Sequence, residues 1–438
     1  MRSFVNSKLN IKTILLFIVI YFCFLLFNNV YANTNLSNDE LYCNSDLIMD
    51  YESGNILFEK NGYTKVYPAS TTKVLTAILA LENLDLESPV VASKNAVYST
   101  PVGSSVIYIQ PGEIMSVKNL LYGLLIKSGN DAANVIAEAV SGNMSDFIEL
   151  MNQKLQEIGC YNTHFTNAHG FHDDEHYTTV YDMAILMRYA MNNNTFREIV
   201  ETKEYTIPAT NKNKEREYIN TNKMFNENYT KMYYEYVLGG KTGYTEEARG
   251  TFVGYGKKDD KLVIVCAFDG SQNINRQEGR FLDSITLFEY AFNNFNKYKI
   301  LDNTTYKFKF QDNNYNEEYI LGINNEQYAL FKNDFYYSTY EINLNSYDLS
   351  NNSINEIVGT ITIENTGNSL NTKITYDLML LEKNKYFEIT DLYNYIDIII
   401  LIIVLFILVL LIKKLNRGKR KRKNTYNKTN PKRISRIK

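Results

Sequence analysis

The chain has 438 residues, 45% of them hydrophobic and 22% charged, enough for about two domains with sizeable cores beside any targeting segments. Its formal net charge of −3 hides a split: residues 413–438 hold 13 Lys or Arg and no acid, leaving 33 basic against 49 acidic residues before them, a formal −16. An acidic body argues against nucleic acid as the main partner.

Residues 1–32 read as an export signal, with Arg2, Lys8 and Lys12 at its start, an apolar run over 14–27 and Val30-Tyr31-Ala32 as a cleavage site. An uncleaved anchor is the alternative, and either one places the body outside the cytoplasm. Cys23 lies in this signal. Cys43, Cys160 and Cys266 are too widely spread for a disulfide framework or a zinc spacing and read as buried small apolar residues.

After the signal, residues 47–51 and 56–59 predict a hairpin turning at Ser53-Gly54-Asn55. Pro68 ends an extended stretch, and a helix is expected over 69–81. Further helices are expected from Ser116 to the stop at Ser128-Gly129, over 131–140, over 145–158 and over 181–191. Strands follow at 237–238, 251–255 and 262–268, then an amphipathic helix over 280–295 whose Leu282, Ile285, Phe288, Phe292 and Phe295 share a face. The fold class is therefore α+β, with one sheet covered by helices. Residues 300–385 are rich in Asn, Tyr and Ile, lack Pro and alternate in short runs, as a small all-β domain does. Residues 398–412 are unbroken apolar. With 392–397 they give 21 residues, a candidate membrane span, flanked by Tyr393 and Tyr395 on one side and Lys413 and Lys414 on the other. The cluster Lys419-Arg420-Lys421-Arg422-Lys423 assigns the tail to the cytoplasm and suits anionic lipid.

Three short motifs stand at helix ends and on a strand. Ser70-Thr71-Thr72-Lys73 opens a helix, and residues three apart share a helical face, which brings an amine within reach of a hydroxyl. A solvated Ser/Lys pair is the bland alternative, but Val74, Leu75, Ala77, Ile78 and Leu79 make this helix apolar nearly all round, and a lysine at the head of a buried helix needs a reason. Ser128-Gly129-Asn130 on its own reads as a helix stop and a cap, and Lys241-Thr242-Gly243 as a glycine-flanked turn at a strand start.

Together the motifs, 58 residues from Ser70 to Ser128 and 113 more to Lys241, resemble those of the penicillin-interacting serine enzymes. Pro68-Ala69-Ser70-Thr71-Thr72-Lys73, Ser128-Gly129-Asn130-Asp131-Ala132-Ala133, Asn167-Ala168-His169-Gly170, the run from His176 to Asp182, and Lys241-Thr242-Gly243-Tyr244-Thr245 resemble the low-molecular-mass D-alanyl-D-alanine carboxypeptidases. The resemblance covers about residues 40 to 295. It implies a β-lactamase/transpeptidase-like fold: an antiparallel sheet flanked by helices, with an inserted helical cluster. The expected layout is a signal at 1–32, a catalytic domain at 33–297, a β-rich domain at 298–388, a transmembrane helix at 392–412 and a basic cytoplasmic tail at 413–438. Two departures stand out. Residues 246–252 replace the family's Ala-Gly and apolar strand, so Arg249 alters the pocket floor or faces solvent. The chain also carries a candidate membrane span where the family lies on the membrane with an amphipathic helix.

The resemblance implies that Ser70 is the nucleophile, Lys73 its base and Ser128 a proton bridge to the leaving amine. Asn130 would hold the substrate amide, Lys241 and Thr242 the terminal carboxylate, and the backbone N–H groups of Ser70 and Tyr244 the oxyanion, with Gly243 also among the substrate-binding residues. The implied activity is removal of the terminal D-alanine from peptidoglycan stem pentapeptides through an acyl-enzyme, with β-lactams as covalent inhibitors, at the outer face of the cell membrane and without a cofactor or metal. A β-lactamase, an endopeptidase or transpeptidase on the same scaffold, and an inactive wall-binding or β-lactam-sensing protein are the alternatives. His164, His169, His172 and His176 fall within 13 residues beside three acids, which opens a metal site as a rival to a polar rim loop.

Overall fold

The computed structural model describes residues 36–270 and 278–301, most of 308–385, and 399–414. The expected signal, residues 392–398 of the expected span and 415–438 of the basic tail lie outside the described residues. The chain divides into two compact units. One comprises Met1–Leu301, Glu326–Glu341 and Thr362–Thr375, the other Asp302–Asn325, Ile342–Ile361 and Tyr376–Lys438.

The first unit opens with the expected hairpin, β1 (Ser45–Asp50) and β2 (Ile56–Lys60). The helix expected from Ala69 instead begins as a 3-10 turn, Ala69–Thr72, and becomes α1 only at Lys73–Asn83. The threonine hydroxyls explain the tightening: Thr71 donates to Pro68 O at 2.7 Å and Thr72 to Ala69 O at 2.9 Å, offering the backbone a local alternative to the α-helical ladder. Then follow β3 (Pro89–Val91), α2 (Lys94–Tyr98), β4 (Ile114–Ser116), α3 (Val117–Leu125), α4 (Asn130–Ser141), α5 (Met144–Glu157), α6 (Val180–Ala190) and α7 (Asn194–Glu201). Helices α3, α5, α6 and α7 are each capped by a polar side chain, Ser116, Asn143, Thr179 and Asn193, that accepts from a backbone N–H one turn in, worth about 0.5–2 kcal/mol each. The short pair β5 (Glu204–Ile207) and β6 (Arg216–Ile219) leads into β7 (Val237–Thr245), β8 (Arg249–Lys258), β9 (Lys261–Phe268) and the long α8 (Gly279–Asn294). Strand β7 extends well beyond the expected 237–238, so Lys241-Thr242-Gly243 lies inside a strand and not at its start.

The main sheet is antiparallel in the order β2-β1-β9-β8-β7, which joins the N-terminal hairpin to the later one through β1 and β9. Period-2 alternation splits its side chains between two cores. Leu47, Met49, Val253, Tyr255, Ile264, Cys266 and Phe268 face the large helical cluster, where α1, α3 and α4 are buried. Ile48, Phe252, Val263 and Val265 face α8 through Phe281, Leu287, Phe288 and Ala291. Truncating a fully buried residue here, such as Leu79→Ala, costs about 2–5 kcal/mol. The two-faced packing is the expected α+β plan, and it presents β7 at the sheet edge to the 3-10 turn that carries Ser70.

After α8 the chain forms β10 (Phe295–Leu301), β11 (Phe308–Asp312), β12 (Glu317–Gly322), β13 (Gln327–Lys332), β14 (Tyr340–Leu344), β15 (Ile357–Asn365) and β16 (Thr372–Lys385). Strand β13 pairs with β10 within the first unit, so the units do not divide at a single cut after residue 297. A further sheet runs in the order β11-β12-β16-β15-β14, with Tyr319, Leu321, Leu378 and Leu380 buried at alternate positions. Residues 399–414 form a helix on which Ile399 to Ile412 are all exposed apolar side chains. Among the described residues no helix is long and apolar enough to cross a membrane.

Candidate active site

Ser70 sits in the 3-10 turn and Lys73 at the first position of α1, one turn on. Ala69, just before the nucleophile candidate, has φ +48°, a left-handed backbone that an L-residue with a Cβ seldom adopts, and Ser128 has φ +67°. The surroundings hold Ala69 there. Gly170, itself at φ +80°, packs so closely on Ala69 O that a Cβ would collide with that carbonyl, and Thr76 Oγ1 donates to Ala168 O at 2.6 Å. The loop carrying Asn167-Ala168-His169-Gly170 is thus pinned to both the turn and α1.

Lys73 is fully buried, and its Nζ has three neighbours: Ser70 Oγ at 2.8 Å, Asn130 Oδ1 at 2.7 Å and His169 O at 2.7 Å. Burial first, and then the charge of Lys241, hold its amine well below the usual lysine range, against an opposing pull from Asp131. The neighbours decide what a neutral amine does. It has two N–H donors and one lone pair. Asn130 Oδ1 and His169 O accept only, so they take the two N–H groups. The lone pair is left facing the Ser70 hydroxyl, which is the geometry of a general base.

Ser128 lies between α3 and α4, and Asn130 is the buried first residue of α4. Asn130 N donates to Ser105 O at 2.8 Å, and the Asp131 carboxylate accepts from Ile107 N and Ile109 N, which fixes the segment beside the cleft. Asn130 therefore addresses Lys73 directly, a role the sequence reading had not given it. Lys241 is also buried; its Nζ donates to Thr242 O at 2.7 Å, and burial together with Arg280 lowers its pKa to about 7. The Thr242 hydroxyl pairs with Thr221 Oγ1 at 2.7 Å. A cleft of about 490 Å³ is lined by Ser70, Ser105, Ser128, Thr221, Asn222, Lys223, Thr242, Gly243, Tyr244 and Arg280, among others. Ser70, Ser128, Thr242, Gly243 and Tyr244 thus share one cleft, while Lys73, Asn130 and Lys241 are buried beside it.

Arg280 is a residue the sequence reading missed. It is buried at the start of α8, donates from Nη1 to Gly243 O and Thr251 O, and lines the cleft, adding a permanent cation near Lys241. A charged residue at a buried helix start is the signal that would have found it. Arg249 does not line the cleft; it pairs with Asp269 at 2.8 Å at the β8 start, so the departure at 246–252 leaves the cleft floor intact.

The four histidines have separate partners. His169 Nδ1 accepts from Phe171 N, His172 Nε2 lies 3.5 Å from Asp174, and His164 Nδ1 is 2.8 Å from Glu175 O. His176 is bonded on both sides, with Nδ1 accepting from Thr166 N at 3.0 Å and Nε2 at 2.8 Å from Thr72 Oγ1. The sequence cluster is therefore not a ligand set among the described residues.

The chain is similar to known proteins in sequence and in fold. The chain is 33% identical over 243 residues to the D-alanyl-D-alanine carboxypeptidase DacF of Bacillus subtilis, an alignment that takes in 55% of this chain and 61% of that protein. The chain thus spans less than two thirds of that relative's length. The crystal structure of a D-alanyl-D-alanine carboxypeptidase from Mycobacterium tuberculosis is 29% identical, with a TM-score of 0.53 over 60% of this chain and 94% of that one. Penicillin binding protein 5 from Haemophilus influenzae, at 22% identity and TM-score 0.64, shares the fold over 80% of this chain and 99% of its own. The sequence profile of the D-alanyl-D-alanine carboxypeptidases, peptidase family S11, matches residues 32–272, and the chain belongs to that family.

Proposed function

We propose that this protein is a serine-type D-alanyl-D-alanine carboxypeptidase that removes the terminal D-alanine from peptidoglycan stem peptides and is acylated by β-lactams. The observation that carries the reading is the donor count at Lys73, which leaves a lone pair aimed at Ser70 Oγ. Lys73 takes the Ser70 proton as Oγ attacks the carbonyl between the last two D-alanines. General base action of this kind is worth about 10²–10⁴ in rate. The backbone N–H groups of Ser70 and Tyr244 receive the oxyanion, each worth about 10²–10³. The tetrahedral intermediate collapses, the C–N bond breaks, and the leaving amine regains a proton by way of Ser128. Water then hydrolyses the acyl-enzyme. Lys241, supported by Arg280, offers the positive field that a terminal carboxylate needs, and the Thr242 hydroxyl is the adjacent polar contact. The test is incubation of the full-length protein with a stem pentapeptide and mass analysis of the product. Loss of one alanine is expected. An unchanged peptide, or rapid turnover of penicillin with no peptide hydrolysis, would overturn the assignment.

We propose as well that the helix at 399–414 is part of a membrane span that continues toward Leu392, with the body outside and the basic tail in the cytoplasm bound to anionic lipid. Fourteen consecutive exposed apolar side chains, Ile399 to Ile412, support this, because a solvated helix would not carry them all round. Retention of the protein in membrane pellets through alkaline carbonate extraction is expected, and release into the supernatant would refute the span.

A further inference from the structure

On the side of the main sheet away from α1, the start of β1 faces α8. Residues at that face are apolar: Ile48 on β1, Val263 and Val265 on β9. Asp46 shares their parity and is fully buried, and both of its carboxylate oxygens lack a hydrogen-bond partner. Its cross-strand partners are Ala267 on β9, whose side chain is small, and Lys60 on β2. A buried carboxyl group with no hydrogen-bond partner costs free energy even as the neutral acid that burial favours, and more as a carboxylate unless a cation compensates it.

Cys43 and Asp283 complete the setting. The Cys43 thiol and the carboxylates of Asp46 and Asp283 each offer an atom within 4.8 Å of the other two, and all three residues are buried. Among the described residues this is the group of three or more such side chains so gathered. Asp283 is held in place by the backbone: Oδ1 accepts from Tyr42 N at 3.0 Å and Oδ2 from Cys43 N at 2.5 Å. Lys60 reaches the same spot from β2, donating from Nζ to Cys43 O at 2.6 Å and Leu41 O at 3.2 Å.

We propose that Cys43, Asp46 and Asp283 form a structural binding site for a thiophilic divalent cation of the zinc class. One thiolate and two carboxylates fill three of the four positions of a tetrahedral zinc ion, with bonds of about 2.3 Å to sulfur and about 2.0–2.2 Å to oxygen, and a water takes the fourth. The charges close: three anionic ligands balance a divalent cation and the Lys60 ammonium. The backbone N–H groups on Asp283 act as the outer partners that orient a ligating carboxylate. Binding displaces the Cys43 thiol proton and ties the entry to β1 onto α8, the helix that carries Arg280 to the cleft. This site is independent of the peptidase reading.

The full-length protein in detergent, stripped with a chelator, would be titrated with Zn²⁺ and with Co²⁺. One equivalent is expected to bind and raise the melting midpoint, and Co²⁺ should give a thiolate-to-cobalt charge-transfer band in the near ultraviolet. Cys43→Ser should abolish the band, while Cys160→Ser and Cys266→Ser keep it. Asp46→Asn, nearly the same shape, should weaken binding about tenfold or more while melting cooperatively without metal. That variant decides the matter if Cys43→Ser fails to fold. Absence of binding to the wild-type chain, a band that survives Cys43→Ser, or unchanged affinity in Asp46→Asn would overturn the site and leave Asp46 as a buried neutral acid.

Discussion

A Cβ placed on Gly243 would stand 2.7 Å from the backbone nitrogen of Ser70. Strand β7 can approach the nucleophile's N–H only because residue 243 has no side chain, and Tyr244, the next residue, lines the same cleft. Gly243→Ala must push β7 and the Ser70 turn apart, and the added carbon also collides with Thr251 Oγ1. The expected result is a fall of about 10²–10³ in the rate of β-lactam acylation, the worth of one oxyanion donor, in a protein that still folds. Stopped-flow acylation together with a thermal melt would check it. Wild-type acylation in Gly243→Ala would show that the strand's closeness has no part in the chemistry.

Lys73→Arg separates the base role from simple charge. An arginine cannot be neutral near pH 7 and so cannot take the Ser70 proton. Acylation should fall by about 10²–10⁴. Ser70→Ala should lose covalent labelling altogether. Labelling of Lys73→Arg at the wild-type rate would mean that the base lies elsewhere.

The Ser70/Lys73 pair was legible because helical spacing alone sets two residues three apart side by side. The halves of the main sheet were legible because Leu47, Ile48 and Met49, like Val263 to Phe268, are buried on both faces and read as nearly continuous apolar runs. Other parts were harder to read. Arg280 comes 39 residues after Lys241, and its one mark, a charge at a buried helix start, is masked by the apolar stripe that dominates the helix. The Asp46–Asp283 approach joins residues with no sequence relation, and one residue of either parity would have looked alike. Helix α7 is polar enough to read as loop, and β3 to β6 are three- and four-residue strands below the length at which alternation is visible.

The two lysines predict a bell-shaped pH dependence of kcat/KM. Lys73 must be neutral to act, and burial lowers its pKa, so the rate rises with pH as the amine deprotonates. Lys241 must be charged to draw a carboxylate, and its pKa is lowered to about 7 in the free enzyme, so affinity falls as pH rises through about 7. The alkaline limb should therefore begin near pH 7 in kcat/KM. It should move upward in kcat, because a bound carboxylate favours the ammonium. Lys241→Arg stays charged and should lose the alkaline limb. An alkaline limb unchanged in that variant would assign it to another group.

Buried His169 and His176 predict the acid stability. Burial lowers both pKa values to about 3, with smaller pushes from Lys73 on His169 and from His169 and other neighbours on His176. In the unfolded chain each titrates near the ordinary histidine value of 6.5. Between those values the unfolded state holds the extra proton, so stability is intact above about pH 6.5 and is lost as the pH falls toward about 3. Two such groups give a slope of about 2.7 kcal/mol per pH unit near pH 5. His176→Gln removes one titrating group while keeping an acceptor for Thr166 N and a donor for Thr72 Oγ1, and it should halve that slope. Melting midpoints of both proteins from pH 4 to 7 would give the answer. Equal slopes would mean that His176 already carries a proton in the folded protein, which the acceptor role of its Nδ1 toward Thr166 N forbids.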